Sequence, residues 1–153
     1  MNGSIRVDLS MPMMHMVPPT SAQSFLMSAE ALFSGAEALS TLNGVHPTAC
    51  AFLASQALEC TLKSYLAYVG ITEQKLRKRP FGHDLERLWL EAASNGLGVD
   101  PLPPRWCVTL NTGHSGKHYF RYPMGLNGWG LPALVPMTAD LKAVIQLVDQ
   151  VSK

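Results

Sequence analysis

The stretch that decides the fold is "PTACAFLASQALECTLKSYLAYVG", residues 47–70. Pro47 suits the first turn of a helix, and Gly70 suits its C-cap. Between them, apolar residues recur at spacings of three and four and cover nearly every side of a helix: Phe52, Leu53, Ala57, Leu58, Leu62, Tyr65, Leu66 and Val69. The pattern predicts a long helix from about Pro47 to Val69 in a chain of the all-α class.

Three polar residues interrupt this apolar helix. Gln56, Glu59 and Lys63 follow one another at spacings of three and four residues, which place them on one face. They are compatible with a solvated stripe that carries a Glu-to-Lys pair of four-residue spacing, worth about 0.2–0.5 kcal/mol. The alternative is a polar line that faces a cleft or a dimer interface.

The flanking sequence predicts further helices. A first helix over 20–42 can be capped by Thr20 or Ser21, and the others follow the same kind of apolar spacing. Together they predict an antiparallel helical bundle of four to five main helices over residues 20–153. The later helices are a short piece in "TEQKLRK", a helix over 84–94, one from near Pro104 and a last one from near Thr138. The helix from near Pro104 is predicted to end at Pro123, and Gly113 and Gly116 weaken its middle.

Residues 1–19 are predicted to form an extended apolar N-terminal arm. Ile5, Val7 and Leu9 alternate with polar residues, which permits a short strand. Methionine is adaptable and apolar, and it is concentrated in this arm, so the arm needs a surface, either its own domain or a partner subunit. The arm has no continuous apolar stretch and is therefore a poor signal peptide.

Composition excludes several classes of protein. The 153 residues fit one domain, and an apolar share of 47% predicts a globular chain. Lys and Arg total 12 against 11 Asp and Glu, so binding to nucleic acid requires a local patch. Three cysteines without a CxxC pair predict reduced thiols rather than a disulfide framework or a zinc site. No apolar run approaches the ~18 residues of a membrane span. We therefore expect a cytoplasmic protein that uses no membrane.

The stretch "RPFGHDLERLWLEAASNGLG", residues 79–98, opens a helix on His83 and Asp84. Asp84 is a good N-cap and complements the helix dipole. His83 is either an ordinary turn residue or a group that exchanges protons near neutral pH. The preceding "KLRKR" run contains Arg77 and is either a solvated face or a small phosphate-binding patch.

The stretch "GHSGKHYFRYP", residues 113–123, is the densest polar and aromatic segment. On a continuous helix, His114, Lys117, His118 and Arg121 would share a face beside Tyr122 and could grip a phosphate or an acidic partner. The alternative is an irregular segment whose aromatic residues pack in the core while Arg121 makes a structural ion pair.

Taken together, "AFLASQALECTLKSYLAYVGI", "GHDLERLWLEAA" and "YFRYP" resemble the HEPN superfamily over about residues 22–151. The resemblance implies a small all-α bundle that commonly forms homodimers, with polar groups near the dimer cleft. Members occur in prokaryotic defence and toxin–antitoxin systems. Some bind nucleotides or act as partners of a small nucleotidyltransferase, and many are ribonucleases with a late R-x4-6-H motif that need no metal or cofactor.

Two hypotheses follow from the resemblance. Because no histidine follows Arg121, the first is a dimeric module that binds a nucleotide, RNA or a partner protein. The second is a metal-independent ribonuclease in which His83 acts with Arg121 or with Arg77. The expected catalytic residues are His83 and Arg121, and the expected ligand-binding residues are Glu59, Lys63, Arg77, His114, Lys117, His118 and Tyr122.

A third hypothesis is a metal phosphohydrolase of the HD type. His46, the His83–Asp84 dipeptide and Asp140 stand in the order that such a site requires, and these residue types suit a divalent metal. The chain carries no P-loop, dinucleotide fingerprint, HExxH or GxSxG motif.

Overall fold

A computed structural model describes residues 17–42, 45–122, 128 and 130–153. These residues form helices and turns and contain no β-strand. The helices are α1 (Ser21–Ser40), α2 (Pro47–Tyr68), α3 (Glu73–Leu76), α4 (Leu85–Ser94), α5 (Arg105–His114) and α6 (Leu134–Val151). Since α3 is a single turn, the prediction of an all-α fold with four to five main helices is confirmed.

Helices α1 and α2 form an antiparallel pair at the centre of the bundle. Thr20 caps α1 through a reciprocal capping box with Gln23. Small side chains let the two helices approach closely, as Gly35 illustrates, because a Cβ there would lie 3.0 Å from Leu53. Ser64 Oγ and Cys50 Sγ donate hydrogen bonds to the Ala22 and Ala36 carbonyls, which fixes the register of the pair.

The core is built around α2, against which α1, α4, α5 and α6 pack. Its largest fully buried side chains are Leu58, Leu62, Leu66, Leu76, Leu85, Leu88, Leu97, Leu110, Met137, Leu141 and Val148. Burying a leucine of this kind contributes about 1.5–3 kcal/mol. Tyr65 donates a hydrogen bond to the Asn95 carbonyl at 2.7 Å and so ties α2 to the end of α4.

The last helix begins four residues earlier than Thr138, which the sequence pattern indicated as its start. Pro136 lies in the first turn of α6, where backbone N–H groups lack partners within the helix. A proline is tolerated there, so α6 can begin before Pro136 rather than after it.

The predicted continuation of the fourth helix towards Pro123 is wrong, because α5 ends at His114. A Cβ on Gly113 would lie 2.6 Å from the Phe120 ring, so glycine is what allows Phe120 to fold back over the helix. Gly116 and His118 adopt left-handed backbone conformations, with φ of 62° and 53°, that complete the turn. The segment after α5 is therefore irregular, and His114 and His118 come close through a turn.

The predicted strand in the N-terminal arm lies outside the described residues, since the description begins at Val17. Val17 to Pro19 are exposed and have no regular structure. Within the described part of the chain, none of the helices combines the length and apolarity that crossing a membrane requires.

Candidate functional site

A buried carboxylate, Glu59 of α2, gathers three cationic or titratable side chains. Its Oε1 accepts a hydrogen bond from Lys63 Nζ at 2.7 Å. Its Oε2 lies 2.9 Å from His83 Nδ1 and 2.6 Å from His114 Nε2. We call these four side chains the Glu59 network.

The interpretation of Glu59 and Lys63 as a solvated stripe is wrong. Glu59 is 6% exposed and Lys63 is 5% exposed, since α4 and α5 cover this face of α2. Gln56 continues the same face one turn earlier, and its Nε2 is buried without a hydrogen-bond partner among the described residues. The polar line is thus part of the interior, and it reaches solvent through His83.

The start of α4 positions His83. Asp84 is the N-cap that the sequence predicted, and its Oδ1 accepts the Arg87 N–H at 3.1 Å. Buried Asn111 of α5 clamps the same turn: its Oδ1 accepts the Leu85 N–H at 2.8 Å, and its Nδ2 donates to Asp84 and Glu86. These bonds satisfy backbone groups that a helix start leaves without partners. The His83 ring is therefore held on a rigid helix end.

His114 is the last residue of α5 and is almost completely buried. A basic group at this position is favoured by the helix dipole as well as by Glu59. His118 donates from its Nδ1 to the His114 carbonyl at 2.9 Å. The His83 ring stands edge to face with both other imidazoles, at centroid distances of 5.8 Å to His114 and 5.3 Å to His118.

Glu59 is ionised throughout the physiological range. Burial by itself raises the pKa of Glu59, but the hydrogen bond from His114, the Lys63 charge and the bonds from Lys63 and His83 lower that pKa to about 2. A carboxylate only accepts hydrogen bonds, so the imidazole nitrogens that face it are the ones that carry a hydrogen atom. In a neutral His83 ring, Nε2 is consequently the atom that carries the free lone pair.

A cleft of about 550 Å³ opens beside His83. Arg77, Arg79 and Arg87 line it, together with His83 and His118. We call it the arginine cleft. Its other lining residues are Pro80, Phe81, Gly82, Asp84, Ser115 and Gly116. His83 belongs to both the cleft and the Glu59 network, since its side chain is 46% exposed while its Nδ1 contacts the buried carboxylate.

The structure brings together most of the residues that the sequence singled out. Glu59, Lys63, His83 and His114 form the network, and Arg77 and His118 line the cleft. Arg121 lies over the Phe52 ring at 5.8 Å, two turns of α2 before Glu59, and does not line the cleft. Lys117 and Tyr122 are exposed and do not line it either. The expected shared face of His114, Lys117, His118 and Arg121 does not form, because α5 ends at His114.

Three contributors were not predicted as site residues. Arg79 belongs to the basic run that the sequence analysis noted, but Arg87 and Asn111 carried no signal of their own. Arg87 lies in the first turn of α4, whereas His83 precedes the N-cap Asp84, so helical spacing does not relate the two residues. The role of Asn111 depends on the packing of α5 against α4, which leaves no local pattern.

Among the described residues, Glu59, His83 and His114 form a group of potential metal ligands, with ligand atoms within 4.8 Å of one another. The four residues expected for an HD-type site do not assemble in this way. His46 precedes α2 as its N-cap, Asp84 caps α4, and Asp140 lies on α6 beside a different cleft. Lys63 already compensates the Glu59 charge, and hydrogen bonds account for the arrangement of the group.

Comparisons with known proteins returned no match, whether against family models, curated proteins or solved structures.

Proposed function

We propose that the arginine cleft binds a phosphate group of a nucleotide or an RNA, in a module of the HEPN-like kind that the sequence resembles. The observation that carries the proposal is one cleft lined by three arginines and two histidines in a chain of net charge +1. Guanidinium groups bind phosphate oxygens in a bidentate manner, and the cleft concentrates them locally.

The charges of the cleft support an anionic ligand. Arg77 pairs with Glu73, but among the described residues Arg79 and Arg87 form no ion pair. Asp84 is the one carboxylate that lines the cleft, and its Oδ1 already accepts hydrogen bonds from the Arg87 backbone and from Asn111. A volume of about 550 Å³ falls within the range of small-molecule sites and can hold a nucleotide.

Binding of a fluorescent, 5′-phosphorylated RNA oligonucleotide, measured by anisotropy, tests this proposal. We expect Arg79→Gln and Arg87→Gln each to weaken binding by about 10- to 100-fold, the worth of a charged hydrogen bond. Arg105→Gln is the matched control, because Arg105 is exposed at the start of α5 outside the cleft. Affinity of the wild type should also fall with salt. Equal losses in all three variants, or no saturable binding to RNA, ATP or ADP, would contradict the proposal.

A specific observation favours a second candidate, the metal-independent ribonuclease. His83 is held by an ionised carboxylate through Nδ1 while the same ring lines the arginine cleft. This is the arrangement of a general base, with Nε2 available for the 2′-hydroxyl proton of a bound RNA. The resulting alkoxide attacks phosphorus, the arginines stabilise the added negative charge, and the 5′-oxygen leaves.

The leaving 5′-oxygen requires a proton, and the proposed donor is the His118 imidazole in its protonated form, since its ring lines the same cleft 5.3 Å from that of His83. The products would be a 2′,3′-cyclic phosphate and a 5′-hydroxyl. An RNA cleavage time course in EDTA tests the reaction, with His46→Ala as the histidine control at the start of α2. We expect His83→Ala to lower the rate by about 10²–10⁴-fold. We also expect Arg77→Ala to impair cleavage more than Arg121→Ala does, and the reverse order would refute this placement of the site.

The resemblance also implies a homodimer, a setting in defence or toxin–antitoxin biology and a possible nucleotidyltransferase partner. Sedimentation velocity tests the dimer: a single species at the mass of one 16.7 kDa chain would exclude it.

A further inference from the structure

A second cleft, of about 460 Å³, lies where α4, α5 and α6 meet the connector that follows α4. Trp89 and Trp106 line it from α4 and α5, and Asp140 lines it from α6. The connector contributes Asp100, Leu102 and Pro104. We call it the tryptophan cleft. It shares no lining residue with the arginine cleft and has no part in the proposed function.

The two indole rings form a rigid aromatic corner. Their centroids are 6.2 Å apart and their planes meet at 89°. Trp89 is nearly buried, and its Nε1 donates to the Asp100 carbonyl at 2.9 Å, which holds the ring in place. Trp106 packs against the core from the first turn of α5. The aromatic surface of the cleft therefore exists before any ligand arrives.

The charge of this cleft is opposite to that of the arginine cleft. Asp100 and Asp140 are its charged lining residues, and no lysine or arginine is among them. Asp100 Oδ1 accepts the Leu102 N–H at 2.8 Å, which orders the carboxylate at the rim. Two carboxylates beside two indole rings produce a negative potential over an apolar floor. Such an environment attracts a cation that tolerates loss of water.

We propose that the tryptophan cleft binds a small organic cation whose charge is spread over alkyl groups, such as a quaternary ammonium compound. A primary ammonium is strongly hydrated and needs hydrogen-bond acceptors in exchange for its water. The cleft offers few besides the Asp140 carboxylate and Asp100 Oδ2, because the Asp100 carbonyl and its Oδ1 already accept protein N–H groups and the other lining residues are apolar. An alkylated ammonium instead gains from the carboxylates together with the accessible indole surface, which is mainly that of Trp106 because Trp89 is nearly buried.

Isothermal titration of the full-length protein with choline tests the proposal against 3,3-dimethylbutan-1-ol, a neutral molecule of the same shape. We expect saturable binding of choline and at least about tenfold weaker binding of the neutral molecule, the worth of a desolvated cation–π contact plus a charge. Asp140→Asn should weaken choline binding by a similar factor. Asp149→Asn, the control on the same helix outside the cleft, should not.

Trp106→Phe is a second test variant. It keeps an aromatic ring in the corner, so we expect the protein to stay folded and a loss of binding to reflect the loss of the indole. We expect it to weaken choline binding while the thermal melting curve stays cooperative. Equal binding of choline and the neutral molecule would overturn the proposal, since the cleft would then be merely apolar. Absence of saturable choline binding at millimolar concentration would overturn it as well.

Discussion

Two faces of α2 are buried to the same degree for opposite reasons. Leu58 and Leu62 are fully buried, and the residues that directly follow them, Glu59 and Lys63, are 6% and 5% exposed. The leucines are stable in the interior because they leave water. The charged pair is stable there only because its partners replace water, and one of them, His114, lies 55 residues away along the chain.

The comparison teaches that two equally buried residues can lose stability on substitution for different reasons. On the leucine face, the loss of stability depends on the volume removed, since neighbouring side chains partly fill the gap. On the Glu59 face, it depends on whether every partner remains, because an uncompensated charge cannot be solvated in the interior. The Glu59 carboxylate also binds His83 Nδ1 and so holds this ring at the arginine cleft. The same hydrogen bonds therefore compensate the buried charge and set the geometry of the site.

The largest effect is expected for Glu59→Gln, which keeps the shape of the side chain and removes its charge. Lys63 is then left buried without a counter-charge. An amide has one acceptor oxygen in place of two, so either Lys63 or the two imidazoles also lose their acceptor. Breaking a buried ion pair by removing one partner costs about 3–5 kcal/mol. Urea unfolding followed by circular dichroism measures the loss, and a loss below about 1 kcal/mol would show that Glu59 is not the centre of a buried network.

Leu62→Ala tests the other face of the same helix turn. Leu62 is fully buried, so truncation creates a cavity and should lower the free energy of unfolding by about 2–5 kcal/mol. This variant should retain RNA binding at temperatures where it is folded, because the arginine cleft is intact. The same urea titration and the anisotropy assay check both statements. Loss of binding in the folded variant would show that the two faces are not independent.

The dependence of stability on pH sharpens the comparison. The pKa of Glu59 is about 2 in the folded protein, below its ordinary value of 4.5. The unfolded chain therefore takes up this proton first as the solution is acidified, so the stabilisation from ionised Glu59 is complete above about pH 4.5 and is lost towards pH 2. The stability gap between the wild type and Glu59→Gln should narrow across that window, whereas the gap for Leu62→Ala should stay constant. A gap that widens on acidification would contradict the assignment.

The smallest effect is expected for Glu37→Gln. Glu37 accepts from Lys142 at 2.9 Å, the distance that also separates Glu59 from His83, but both side chains of this ion pair are about half exposed. Exposed pairs contribute about 0–1 kcal/mol because water screens them and replaces the lost partner. This variant is thus the matched control for Glu59→Gln. A loss as large as that of Glu59→Gln would show that burial does not distinguish the two pairs.

Much of the fold was predictable from local pattern. The apolar spacing located the main helices, and the N-cap role of Asp84 is confirmed by its bond to the Arg87 N–H. Local pattern failed at the start of α6, predicted near Thr138, because a proline is compatible both with a loop and with the first turn of a helix, where Pro136 lies. It failed again after His114, where the contact between Gly113 and Phe120 ends the helix.

The sequence predicted several residues of the candidate site but not that they lie together. Glu59, Lys63, His83, His114 and His118 stood out as polar residues in apolar or cationic surroundings, but the pattern could not join them. The spacing of Glu59 and Lys63 is the same for a surface pair and for a buried one. Burial is decided by which helices cover that face.

By itself, the sequence determined the helices of this protein, because capping and apolar periodicity act between residues a few positions apart. The tertiary structure alone decided that Glu59 is buried, that His83 and His114 share its carboxylate, and that Arg121 lies over Phe52 outside the cleft. The reason is physical: desolvation and charge pairing depend on every group that surrounds an atom. Around Glu59 those groups come from residues as distant as His114, 55 positions along the chain.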